Sequence, residues 1–126
     1  VGMANYGFLY RGISPGQVSI EPLRSKGRYI LYSEFRESGM IDWKRTYDES
    51  AASSYYRSPN GADFVTIDDP LSVVTKAAYL KNTGYSCAFW WVYHGDAIPV
   101  TGEGSRSKDR NTLIDAFRAE WSRGYK

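Results

Sequence analysis

At 126 residues the chain is long enough for one compact domain, and its formal net charge of +2 is too small to argue for nucleic-acid binding. A single cysteine excludes an internal disulfide, and one histidine beside it leaves no clustered ligand set, so neither a metal nor another cofactor is expected. No apolar run reaches the roughly 20 residues that a membrane-spanning helix needs, and nothing resembles a signal peptide. The aromatic share of 16% suits a core, an interface or a sugar-stacking surface.

Residues 1–13, VGMANYGFLYRGI, read as a short strand turning at Gly7 into a second extended piece. The chain opens inside that strand, which points to a processed piece or one chain of a larger assembly. Residues 14–28 are rich in Ser, Pro, Gly and basic residues and read as loop. Tyr29, Ile30, Tyr32 and Phe35 suggest a helix or mixed segment stopped by Gly39, after which Met40, Ile41 and Trp43 anchor an extended stretch. Asn60-Gly61 is a strong turn dipeptide, followed by a short strand over 63–67.

Asp69 is a good N-cap, because its carboxylate can accept from the orphan amides of a first turn, and Pro70 suits the first helical position. Leu71, Val74, Ala77, Ala78, Tyr79 and Leu80 mark the apolar face, and Gly84 ends the helix. From Tyr85 to Tyr93 nearly every residue is large and apolar. An unbroken run of this kind predicts a strand buried on both faces, the habit of parallel sheets. Within it, Cys87 reads as a small buried hydrophobe. Phe89, Trp91 and Tyr93 share one side, and Ala88, Trp90 and Val92 the other. His94 reads as a loop residue. Residues 97–108 form a Gly- and Ser-rich loop, where Asp109 interrupts the solvated basic run of Arg106, Lys108 and Arg110. A final amphipathic helix over 111–122 places Leu113, Ile114, Phe117 and Trp121 on one face, with Gly124 as its stop.

Strand, insertion, helix, strand, helix is the grammar of βα units. Two such units cannot close a sheet, so the chain alone should expose apolar surface and strand edges.

The stretch FVTIDDPLSVVTKAAYLKNTGYSCAFWWVYHGD resembles the closing section of glycoside hydrolase family 18, the chitinases and their chitin-binding relatives. Asp68, Asp69, Ser72, Lys76, Ala77, Tyr79, Gly84, Trp91 and Asp96 carry that resemblance in order. The opening VGMANYG, with Tyr6 and Gly7, is similar to the family's seventh strand, and Tyr47-Asp48 to the end of its insertion. The resemblance implies an α/β fold, the C-terminal part of a TIM (β/α)8 barrel. Residues 1–13 would be the strand-seven region, 14–62 a shortened α+β insertion, and 63–126 the last βα units. Another chain or a missing segment would complete the barrel.

In that family a protonated Glu, last in an Asp-x-x-Asp-x-Asp-x-Glu motif, donates to the leaving oxygen while the sugar's acetamide attacks, a substrate-assisted exception among glycosidases. None of the fourteen acidic residues here has that spacing, so this chain holds no general acid of the family's type. The resemblance makes Trp91 the floor on which a sugar stacks and Tyr6 the tyrosine that hydrogen-bonds near its acetamide. Phe8 stands where many relatives have Arg, and Val92 where Glu is common; both remove polar groups near the cleft. Implied partners are a companion chain bringing the Glu, and chitin or an N-acetylglucosamine oligosaccharide; the implied location is secreted. Three readings stay open: part of a chitinase, a chitin-type lectin, or a scaffold subunit of a larger, toxin-like assembly.

Overall fold

The computed structural model describes residues 1–17, 27–97 and 111–124. The expected basic run at Arg106, Lys108 and Arg110 lies outside them, as do most of the loops expected at 14–28 and 97–108.

Strand β1 (Gly2–Ala4) pairs in parallel with β7 (Phe89–Trp91), Met3 lying opposite Trp90. The remaining strands form one antiparallel sheet in the order β3-β2-β6-β5-β4. These are β2 (Tyr6–Arg11), β3 (Gly27–Leu31), β4 (Lys44–Asp48), β5 (Ser53–Arg57) and β6 (Asp63–Ile67). Helices α1 (Tyr32–Glu37), α2 (Pro70–Asn82) and α3 (Thr112–Ser122) complete the chain.

Several elements form where local chemistry dictates. Asp69 accepts from the Ser72 amide at 2.9 Å and starts α2 with Pro70 behind it. The Asn60 carboxamide accepts from the Ala62 amide, closing the turn that leads into β6. Gly84 takes the left-handed conformation, φ 79°, that ends a helix without strain.

Three local expectations are corrected, and one hairpin is added that the sequence pattern did not announce. The first strand breaks at Asn5, and Gly7 lies inside β2. Gly7 serves close approach: a Cβ there would sit 2.0 Å from the Thr66 carbonyl oxygen and 2.7 Å from Ile67 Cβ. Met40–Asp42 is a 3-10 turn, because Gly39 at φ 76° reverses the chain and only Met40 points inward. The stretch 44–57 is a hairpin of two strands, stabilised by pairing rather than by apolar alternation. On α2 the buried residues are Ser72, Val73, Ala77 and Leu80, whereas Leu71 and Tyr79 are exposed. Apolar residues ring much of that helix, so its neighbours select the inner face.

The core is one cluster. Leu9, Ile30, Tyr56, Val65 and Ile67 from the sheet meet Tyr32 and Phe35 of α1, Val73, Ala77 and Leu80 of α2, and Leu113 and Phe117 of α3. Burial of each of the larger apolar side chains among them contributes about 1.5–3 kcal/mol. Gly7→Ala is expected to force β2 from β6 and cost about 3 kcal/mol or more, above the usual penalty for an added methyl group because its neighbours are backbone atoms. A urea midpoint unchanged from wild type would show that the strands can separate without loss.

Candidate carbohydrate-binding site

The 85–93 run does not become a long strand covered on both faces. Only Phe89–Trp91 is strand, and only one side of it is packed. Trp90 turns toward α3, its ring edge-on to Phe117 at 5.8 Å, and Phe117 stacks on Trp121 at 5.4 Å. Phe89 and Trp91 point the other way and are 61% and 65% exposed. No described element lies over that side. Tyr85 and Cys87 are exposed as well, so Cys87 is not the buried hydrophobe expected. The segment is held there through backbone: the Val1 nitrogen donates to the Cys87 carbonyl, and the Phe89 amide to the Val1 carbonyl.

Tyr6 and Trp91 line one groove of about 240 Å³ together with Gly2, Met3, Ala4 and Phe89. The Tyr6 ring packs on Tyr29 at 4.9 Å and edge-on to Phe8 at 6.3 Å, so the phenol is braced from the antiparallel sheet. Phe8 is itself exposed, continuing an apolar surface away from the groove. His94 is exposed on the 3-10 turn Tyr93–Asp96 that follows Val92.

Sequence reasoning missed the residue that positions Trp91. Asn5 is fully buried where β1 gives way to β2. Its Nδ2 donates to the Val92 carbonyl, its Oδ1 accepts from the Val92 amide at 2.8 Å, and its own amide donates to the Trp91 carbonyl at 3.4 Å. The Trp91–Val92 peptide is cis. Gly95 makes room for this clamp, since a Cβ there would lie 2.5 Å from Asn5 Oδ1. The usable signal was a single amide between two apolar stretches, two residues before the Gly7 at which the turn was expected.

The acidic residues singled out by the sequence hold the fold. Asp68 pairs with Lys76 at 2.6 Å. Asp69 accepts from Arg45 Nε at 2.5 Å, the Tyr56 hydroxyl at 3.0 Å, and the Ser72 amide and hydroxyl. Burial alone would raise its pKa. Arg45, the Ser72 amide and the Ser54 and Tyr56 hydroxyls outweigh that and hold it well below the usual carboxylate range. Burial pushes Tyr56 up to about 12, and the adjacent Asp69 charge adds to the shift.

Asp96 is 0% exposed and out of reach of any ligand. Its Oδ2 accepts from the amides of Leu113 at 2.8 Å and Ile114 at 3.0 Å, fastening the first turn of α3, while Oδ1 has no hydrogen-bond partner among the described residues. Desolvation raises its pKa to about 6, against the lowering effect of those two amides. A carboxyl that binds its proton more tightly when folded stabilises the fold at low pH, and loses that contribution as pH rises through the folded value. Wild type is therefore expected to lose stability relative to Asp96→Asn between about pH 4 and 6. A stability difference that stays flat across this window would contradict the assignment.

Among the described residues no group of His, Cys, Asp and Glu could hold a metal ion, and no helix is long and apolar enough to cross a membrane.

A parallel strand pair with helices behind it and an antiparallel sheet inserted between its strands has the fold of part of a family 18 chitinase barrel. Over 109 residues the sequence is 25% identical to sporulation-specific chitinase 2 of Saccharomyces cerevisiae, covering 86% of this chain and 19% of that protein. The structure matches the chitinase-like agglutinin of Robinia pseudoacacia with a TM-score of 0.67 at 21% identity, covering 95% of this chain and 31% of the agglutinin. It matches a glycoside hydrolase family 18 N-acetylglucosaminidase from Paenibacillus barengoltzii with a TM-score of 0.68 at 23% identity, covering 94% of this chain and 32% of that one. No protein-family model matches the sequence. The chain thus spans about a third of these solved structures and a fifth of the yeast chitinase. The resemblance to chitinases and chitinase-like lectins extends over most of its length.

Proposed function

We propose that this chain is the C-terminal portion of a chitinase-like glycoside hydrolase, the last two βα units and the insertion between them. In this reading Trp91 and Tyr6 form the stacking wall of a cleft for N-acetylglucosamine polymers, and the catalytic Glu comes from another chain or a missing segment. The observation that carries it is Trp91, exposed on the side of a parallel strand away from the helices and sharing a groove with Tyr6. An indole suits a pyranose, whose axial C–H groups pack against an aromatic plane. The two-stranded parallel sheet supports the missing part: among the described strands β1 and β7 have only each other, and a groove of about 310 Å³ lies between β1 and α2. Secretion belongs to the same proposal.

A second reading, a lectin without hydrolysis, is favoured by the apolar Phe8 and Val92 and by the likeness to an agglutinin. Purification from the native source separates the two. A companion polypeptide with Asp-x-x-Asp-x-Asp-x-Glu is expected for the enzyme, and the same motif with its Glu replaced for the lectin. In the completed barrel, Trp91→Ala is expected to weaken binding of N-acetylglucosamine oligomers about thirtyfold, the roughly 2 kcal/mol of a central aromatic anchor. Unchanged affinity would remove Trp91 from the site.

A further inference from the structure

The hairpin register places Lys44 opposite Arg57 and Thr46 opposite Tyr55. Residues two apart on a strand share a face, so these four form a two-by-two patch at the edge of the antiparallel sheet. They enclose a cavity of about 160 Å³. Like charges directly opposed across a strand pair repel, and nothing in the described residues relieves them. Asp63 is engaged by Arg11 and the Gly12 amide, Asp48 by Ser50 and the Ala51 amide, and Asp69 by Arg45. Among the described residues neither Lys44 nor Arg57 has a carboxylate partner. Among the described residues Arg57 Nε is buried without an acceptor, so the guanidinium charge is left uncompensated on this face.

We propose that Lys44, Thr46, Tyr55 and Arg57 form an oxyanion-binding site for a sulfate, phosphate or carboxylate group. A guanidinium fork and an ammonium supply charge-assisted donors, and the two hydroxyls supply neutral ones. An anion in the cavity would neutralise the opposed cations. The site shares no lining residue with the Trp91 groove and does not depend on the chitinase-like reading. Tyr55 also lines a neighbouring groove of about 320 Å³ with Tyr10 and Phe64, whose rings stack at 4.9 Å. Tyr55 thus borders both grooves, and a sugar carrying an oxyanion has an aromatic surface beside the cations.

The test is an amide NMR titration of the full chain at constant ionic strength. Its probes are sodium sulfate and N-acetylglucosamine 6-sulfate, with sodium chloride and plain N-acetylglucosamine as controls. Saturable shifts at residues 44, 46, 55 and 57 are expected with sulfate, weakened at least tenfold by Arg57→Gln. Lys44→Gln, at an exposed position, is expected to weaken them as well, and it decides the matter if the Arg57 variant does not fold. Tighter binding of the sugar sulfate would assign the site to a glycan, and equal binding to a free oxyanion; either supports the proposal. A non-saturating response equal to that of chloride, or full affinity in Lys44→Gln, overturns it.

Discussion

Asp69→Ala is expected to lower the unfolding free energy by about 2–4 kcal/mol, the combined loss of a helix cap and of the acceptor for a buried hydroxyl. Three losses coincide at this carboxylate. The N-cap of α2 alone accounts for about 1 kcal/mol. The Tyr56 hydroxyl, inside the core, loses its acceptor. Arg45 loses its charged partner, although at 37% exposure it can return partly to water, which keeps the total from rising further. Since domains of this size are stable by only about 5–15 kcal/mol, the variant should unfold at a much lower urea concentration. Asp69→Asn separates the contributions, because asparagine still caps a helix but carries no charge, and an intermediate loss is expected. The same residue sets an acid limit. With its folded pKa depressed, Asp69 stabilises the protein above the ordinary carboxylate pKa, and that contribution fades as pH falls below about 4. An alanine variant within about 0.5 kcal/mol of wild type would mean that the network is ornamental to stability.

Gly95→Ala is expected to act at a distance on Trp91. The added Cβ would lie 2.5 Å from Asn5 Oδ1 and 2.9 Å from Cγ, both inside contact distance, so the Asn5 carboxamide must move. That carboxamide holds both backbone groups of Val92, the residue after Trp91. Releasing them frees the end of β7, whose strand partner among the described residues is β1 alone. The antiparallel sheet and α2 share no hydrogen bond with this clamp and should persist. The Trp91 indole N–H resonance should shift and broaden, with those of Trp43 and Trp121 unchanged. Misplacement of about 1 Å in a positioning contact can cost on the order of a hundredfold in function. On the proposed reading, oligosaccharide affinity of the completed barrel should therefore fall at least tenfold. An indole resonance identical to wild type would remove the clamp from the account.

The apolar run at 85–93 shows how far sequence reasoning reaches. Its greasy composition and its place beside a parallel partner are legible, and so is the expectation that two βα units leave such a strand uncovered. The exposed rings of Tyr85, Phe89, Trp91 and Tyr93 agree with that expectation. Which ring faces which way was not legible, because alternation offers two equivalent assignments until something packs on one side. Here α3 packs on Trp90 through Phe117, and that decides it.

By itself the sequence determined the events that close within a few residues. These are the Asp69-Pro70 start of α2, the Asn60-Gly61 turn, strand 63–67, the apolar face of the last helix, and the lack of a correctly spaced acid motif. Each depends on a side chain meeting backbone a few bonds away, or on spacing alone. Only the tertiary structure decided that Asn5 grips Val92, 87 residues away. It alone paired the polar stretch 44–57 into a hairpin, left Cys87 exposed, and set Lys44 against Arg57. Those outcomes depend on which distant backbone arrives alongside, and a short polar strand carries almost no hydrophobic pattern to announce its partner.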